Sequence, residues 1–133
     1  MNPCLVDTDV ISILFRNGDR RMAACEQAVV GRESVIAFMT LAELLVWPRR
    51  NNWGAVRTSA LRDYLADYTV LLPDEETCGV WSEITVECKL AGRPILPNDA
   101  WIAAIARQWD LDLVTANFGD YAGVSGLKLI PIK

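Results

Sequence analysis

Apolar residues fall into two rhythms along this chain. Unbroken runs at Cys4-Leu5-Val6 and at residues 34–39, 69–72, 111–115 and 127–132 lack the alternation of a half-exposed strand. They suit strands buried on both faces of a parallel sheet. Between them, apolar positions recur three and four apart. Residues 9–16 predict a short helix broken by Asn17-Gly18-Asp19, with Gly18 suited to the left-handed position that ends a helix. Residues 20–30 predict a second, with Met22, Ala23, Cys25, Ala28 and Val29 on its apolar side and Gly31 at its end. Helical spacing over 43–47 and again over 53–68, interrupted by Pro48-Arg49-Arg50-Asn51-Asn52, predicts a helical hairpin with arginines at its tip. Residues 74–91 form a long helix whose acidic first turn, Asp74, Glu75 and Glu76, complements the helix dipole, and Gly92 closes it. After the rigid connector 93–97, Asn98 is the natural cap of a deeply packed apolar helix over 100–106, which leaves Asp99 in its first turn.

Strands alternating with helices through right-handed crossovers predict a single α/β domain over residues 1–133. Its architecture is a three-layer α/β/α sandwich around a mostly parallel sheet. The apolar share of 52% and five tryptophans fill such a core. No apolar run approaches the roughly 20 residues of a membrane span, and the first strand begins without a charged leader, so a cytoplasmic protein is expected. Cys4, Cys25, Cys78 and Cys88 are widely spaced without a CxxC pair and read as small core hydrophobes of a reducing compartment.

The chain has no histidine. That excludes Ser-His-Asp and Cys-His nucleophile systems, imidazole zinc sites and a neutral-pH imidazole acid-base pair. An enzyme built from this sequence must work with carboxylates and metal. The net charge of −4 argues against a nucleic-acid binder, yet its distribution is uneven: residues 1–66 hold eight Lys+Arg against seven Asp+Glu, and residues 67–133 hold five against ten. Arg16, Arg20, Arg21, Arg49, Arg50, Arg57 and Arg62 fall on predicted surface, as a solvated face or as a local field for phosphates.

The candidate chemistry is acidic. Asp7 ends the first strand, at the edge where parallel sheets collect ligands. Asp9 is placed to cap the next helix. Asp7 then stands before the cap as a lone carboxylate whose burial calls for a cation. Thr40 and Glu43 have capping-box spacing, while the apolar flanks of Glu43 aim it at the same sheet edge, and the residues alone leave both readings open. Asp99 heads a buried helix, and the turn with Asn117 and Asp120 follows the fourth strand. Acidic and amide groups converging without a base repel one another, and a hard divalent cation such as Mg²⁺ or Mn²⁺ resolves that repulsion. Such a site suits attack of a metal-activated water on a phosphodiester.

The segments LVDTDVIS (5–12), TLAELL (40–45), PNDAWIAA (97–104) and LVTANFGDY (113–121), in this order and over a chain of this length, resemble the PIN-domain ribonucleases, specifically VapC-type toxins of bacterial toxin-antitoxin pairs. The resemblance implies that Asp7, Glu43 and Asp99 ligate Mg²⁺ or Mn²⁺ and that Thr115 orients a metal-bound water. Where many relatives carry an acid after the T-x pair, this chain has Asn117, and Asp120 matches the acid three residues on. Either could complete the site. The resemblance further implies cleavage of RNA, often tRNA or rRNA, a small antitoxin that buries the acidic pocket, and a homodimer. Two rivals remain. Asp7-Thr8-Asp9 also matches the D-x-D nucleophile motif of haloacid-dehalogenase-like phosphatases, although Lys89, Lys128 and Lys133 are the only lysines and none opens a helix after a strand. A non-catalytic acidic pocket that binds a basic partner is the other.

Overall fold

The structure is a computed structural model that describes residues 2–133. Strands β1 (Cys4–Val6), β2 (Ser34–Ala37), β3 (Thr69–Leu71), β4 (Asp112–Thr115) and β5 (Lys128–Pro131) form one sheet in the order β3-β2-β1-β4-β5. Every pairing is parallel, so the sheet is wholly rather than mostly parallel. Helices α1 (Thr8–Arg16), α2 (Met22–Val29), α3 (Phe38–Arg50) and α4 (Ala55–Leu65) contribute to the core on one face, and α5 (Glu75–Leu90) and α6 (Pro97–Gln108) to that on the other.

The strand residues divide between these layers by simple alternation. Cys4, Val6, Ile36 and Val114 enter the core with α1 to α4, while Leu5, Val35, Ala37 and Leu113 enter the core with α5 and α6. Each is at most 3% exposed, which is why the strands read as continuous apolar runs. The small side chains Ala100, Ala103, Ala104 and Ala106, with Ile102 and Ile105, bury α6 as its composition predicts. Of the cysteines, Cys4, Cys25 and Cys88 are buried, but Cys78 is exposed on α5 and does not serve the core. No helix among the described residues is long and apolar enough to cross a membrane.

Three helix starts depart from the sequence reading. The cap of α1 is Asp7, whose side chain accepts from the Thr8 N–H, so Asp9 lies inside the first turn. Helix α3 begins at Phe38 with Ala37 at its cap, and no Thr40–Glu43 capping box forms. Helix α6 begins at Pro97, whose fixed φ and missing N–H suit a first helical position, so Asn98 is not the cap. The box is instead at α5, where Asp74 accepts from the Thr77 N–H and the Thr77 hydroxyl accepts from the Asp74 N–H. Pro48 does not break α3. It sits in the last turn, and the chain reverses over Asn51, Asn52 (φ 53°) and Trp53.

The chain runs outward from β1 through β2 to β3, then returns to place β4 on the other side of β1. The strand order therefore reverses between β1 and β4. Beyond the carboxyl ends of such a pair the loops diverge and leave a crevice.

Candidate active site

Asp7 and Thr115 end the two strands that flank the reversal. Thr115 is fully buried, and its hydroxyl donates to Asp7 Oδ2 at 2.7 Å while accepting from the Asn117 N–H at 3.0 Å. The Tyr121 hydroxyl, brought in by a one-turn 3-10 helix at Phe118–Tyr121, donates to the same oxygen at 2.9 Å. With Oδ1 capping α1 at 2.8 Å, both oxygens of Asp7 are satisfied by neutral donors, and the residue is 5% exposed. The sequence reading of Asp7 as a partnerless carboxylate is thus corrected, because a tyrosine and a threonine far away in sequence supply the partners. No positive charge accompanies them. Burial, then the neighbouring Asp9, push the Asp7 carboxyl up to about 7. Burial and Asp7 also raise the Tyr121 hydroxyl, which keeps it a donor.

Asp7, Asp9, Glu43, Asp99, Asn117 and Asp120 line one cleft of ≈ 330 Å³, and no lysine or arginine among the described residues lines it. Thr115 lies beneath it, with its hydroxyl committed to Asp7 and the Asn117 N–H. Helix α3 delivers Glu43 one turn in from its start. The Thr8 hydroxyl donates to Glu43 Oε1 at 2.7 Å and lies 3.0 Å from Thr40 Oγ1, and the Asn98 amide donates to Oε2 at 2.8 Å. Thr40 and Asn98, read from sequence as caps, therefore serve the cleft. Pro97 supplies the helix start that frees Asn98 to do so.

Asp99 is raised to about 6, by burial first and then by the charges of Asp120, Glu43 and Asp9. Asp120 exerts the strongest of these charges, which ties the 3-10 turn to Asp99. Asp9 sits between the two ends of the cleft, since both Asp7 and Asp99 feel its charge. Its own carboxyl is raised by burial. Asp9 Oδ1 receives a long 3.4 Å hydrogen bond from the Ala116 N–H, and Oδ2 is buried with no partner. The sequence reading placed Asp9 at the cap, a position compatible with a supporting role beside Asp7. The D-x-D spacing contained the signal, because moving the cap back to Asp7 turns Asp9 into the cleft.

The residues fit a hard divalent cation. The donors are all oxygen, two carboxyls are held above their ordinary range, and one buried carboxylate oxygen lacks a partner. As placed, no three acidic or other metal-ligating side chains among the described residues already gather around one point. Glu43 and Asp7 instead spend their oxygens on neutral donors, which is how mutually repelling carboxylates persist around a cleft without a counter-charge. The D-x-D phosphatase reading fails on the same geometry: Asp7 is buried, capping and bonded through both oxygens, and no lysine lines the cleft.

Fold and cleft together define a parallel α/β protein with an acidic, all-oxygen site at its topological switch point. The chain belongs to the PIN-domain family, whose model matches residues 4–121. Among its relatives, Ribonuclease VapC1 of Haemophilus influenzae (strain R2866) is 28% identical over 127 residues, spanning 93% of each chain. Ribonuclease VapC5 of Mycobacterium tuberculosis (strain ATCC 25618 / H37Rv) is 27% identical over 109 residues, spanning 80% of each. The solved structure of VapBC-1 from nontypeable Haemophilus influenzae matches with a TM-score of 0.81 at 25% identity over 97% of both chains. VapBC2 from Rickettsia felis, solved bound to a DNA fragment from its promoter, shares the fold with a TM-score of 0.85 at 20% identity, over 98% of this chain and 99% of that one.

Proposed function

We propose that this chain is a divalent-metal-dependent endoribonuclease of VapC type, the toxin of a toxin-antitoxin pair acting on structured RNA such as tRNA or rRNA. The observation that carries the reading is the cleft: carboxylates from four separate segments face one space without a basic side chain, and one buried oxygen of Asp9 has no partner. Membership of the PIN family and likeness to proteins named as VapC ribonucleases support it.

Asp7, Glu43, Asp99 and Asp120 would hold Mg²⁺ or Mn²⁺, with Asp9 Oδ2 as a further free acceptor. A bound ion of this kind makes water a nucleophile near neutral pH and offsets charge developing on phosphate oxygens. The protein's part is to fix the acceptors. Thr115 and Tyr121 hold Asp7 Oδ2 from two sides, and Thr8 and Asn98 fix the two oxygens of Glu43. Two carboxyls near 6 and 7 ionise readily once a cation offsets their repulsion. Asn117 is held through its backbone by Thr115 and borders the cleft, where its amide would serve as a neutral donor for substrate oxygens. With no histidine in the chain and Asp7 buried and held by three neutral donors, with acceptor capacity left for a cation but no free face for attack, water would be the nucleophile.

A small antitoxin that covers this acidic mouth with a basic segment, and a homodimeric assembly, belong to the same reading; relatives solved as VapBC pairs support the former. The direct test is cleavage of end-labelled tRNA and rRNA fragments. Native protein should cleave with added Mg²⁺ or Mn²⁺, stop in EDTA, and lose activity by about two orders of magnitude or more in Asp99→Asn with its circular dichroism unchanged. Cleavage that persists in EDTA, or full activity in Asp99→Asn, would refute it.

A further inference from the structure

An acidic cleft repels the phosphates it must receive, so an RNA substrate needs positive groups placed beside it. The ion pairs among the described residues engage Arg21, Arg32, Arg107 and Lys128. Arg16 and Arg57, both exposed, are in none of them. They are nevertheless held in place. The Arg16 guanidinium lies 4.8 Å from the ring centroid of Trp47, and that of Arg57 lies 4.0 Å from Trp53. The two indoles are 6.4 Å apart, and Phe15 stacks on Trp53 at 6.2 Å. An Arg-Trp-Trp-Arg ladder therefore runs along α1, α3 and the start of α4. Its first indole, only 9% exposed, is itself part of the wall of the acidic cleft.

Arg16 has a second neighbourhood. It lines a polar cavity of ≈ 540 Å³ with Asn17 and the Arg21–Asp19 ion pair, and this cavity adjoins the acidic cleft, with Asp9, Ser12 and Asn117 bordering both. A guanidinium seated on an indole uses its face for the stack and leaves its edge donors free, in a fork that matches a phosphate. Because the stack already restricts the side chain, less freedom is lost when a ligand arrives.

We propose that Arg16 on Trp47, continued outward by Arg57 on Trp53, grips the RNA phosphates on one side of the scissile bond, and that the adjoining cavity seats the neighbouring nucleotide. The inference rests on the nuclease reading above. These contacts position the strand without reading its sequence, because they meet the backbone and not the base edges. Because the cavity borders the cleft that would hold the cation, a strand seated on Arg16 is led to the reacting centre, which under the nuclease reading favours RNA as the occupant over an acidic protein segment.

The test compares native protein with Arg16→Gln, Arg57→Gln and Arg16→Lys. Binding of a short labelled single-stranded RNA is followed by anisotropy in EDTA over a range of KCl, and KM and kcat for RNA cleavage are measured in Mn²⁺. Each glutamine variant should lower the slope of log affinity against log salt by about 0.7. Each should raise KM with little change in kcat, as loss of uniform binding requires. Arg16→Lys should retain the salt slope while binding more weakly than native. Unchanged slope and KM in both glutamine variants would overturn the proposal. So would an unchanged RNA slope accompanied by lost binding of poly-glutamate, which would assign the ladder to an acidic protein partner. If the native protein cleaves no RNA, the nuclease reading falls, and the EDTA titration still decides whether Arg16 and Arg57 contact phosphate.

Discussion

Asp7 and Asp9 are two residues apart, and the assignment of one helix cap decides what each does. Capping by Asp7 commits Oδ1 to the Thr8 N–H and leaves Oδ2 for Thr115 and Tyr121, while Asp9 swings into the cleft with an unpaired oxygen. Both residues were candidates in the sequence, but a boundary shift of two residues is invisible there, since aspartate caps well at either position. Thr115 shows how its hydroxyl acts through a neighbour: its donor stabilises the ionised form of Asp7. Thr115→Val removes that donor at similar size. RNA cleavage should fall roughly 10–100-fold, the range for lost partners of metal-holding groups. Without the donor the Asp7 carboxyl rises further, so the acid limb of the pH–rate profile should move to higher pH. A profile that falls in amplitude without moving would show that Thr115 acts elsewhere.

At the scale of elements, the apolar rhythms located all five strands and six helices, because burial on both sheet faces leaves a continuous signature and helices a period near 3.6. Helix ends were less legible. Thr40-x-x-Glu43 has capping spacing, but both side chains are drawn into the contact with Thr8, a residue 32 positions away from Thr40. Pro48 reads as a stop, yet α3 runs two residues past it and gives up only the one ladder hydrogen bond that the missing N–H of Pro48 would have made. Tyr121, an ordinary aromatic in the sequence, became visible as an Asp7 donor only once the 3-10 turn folded it under β1. Helix α3 matters most to the site, since it carries Glu43 and Trp47 and is anchored by the fully buried Leu44 between them. Leu44→Ala should destabilise the protein by about 2–5 kcal/mol in urea unfolding, with an unchanged m-value. A cost below about 1 kcal/mol would mean that α3 packs loosely and cannot hold Glu43 in place.

For the whole molecule, the reversal of strand order between β1 and β4 gathers acidic residues from segments more than 100 positions apart at one end of the sheet. The net charge of −4 concealed this division, with the acidic cleft beside an arginine-bearing hairpin. The carboxyls of Asp7 and Asp99, raised to about 7 and about 6, make the arrangement measurable through stability. A carboxyl whose folded value lies above its unfolded value binds protons more tightly in the native state. Its stabilising contribution is therefore complete below about 4 and is lost as pH rises through the folded value. The metal-free protein should accordingly unfold at lower temperature at pH 7.5 than at pH 5.5. A cation that favours the ionised forms should reverse the loss, by about 2.7 kcal/mol at a hundredfold excess over its Kd.

Thermal unfolding at pH 5.5 and 7.5, with and without Mn²⁺, is the most direct test that the cleft is a cation site. The Tm should fall between the two pH values in EDTA and rise with Mn²⁺ at pH 7.5, and Asp7→Asn should flatten the pH dependence and weaken the Mn²⁺ response. A Tm at pH 7.5 that is indifferent to Mn²⁺ in the native protein would contradict the account.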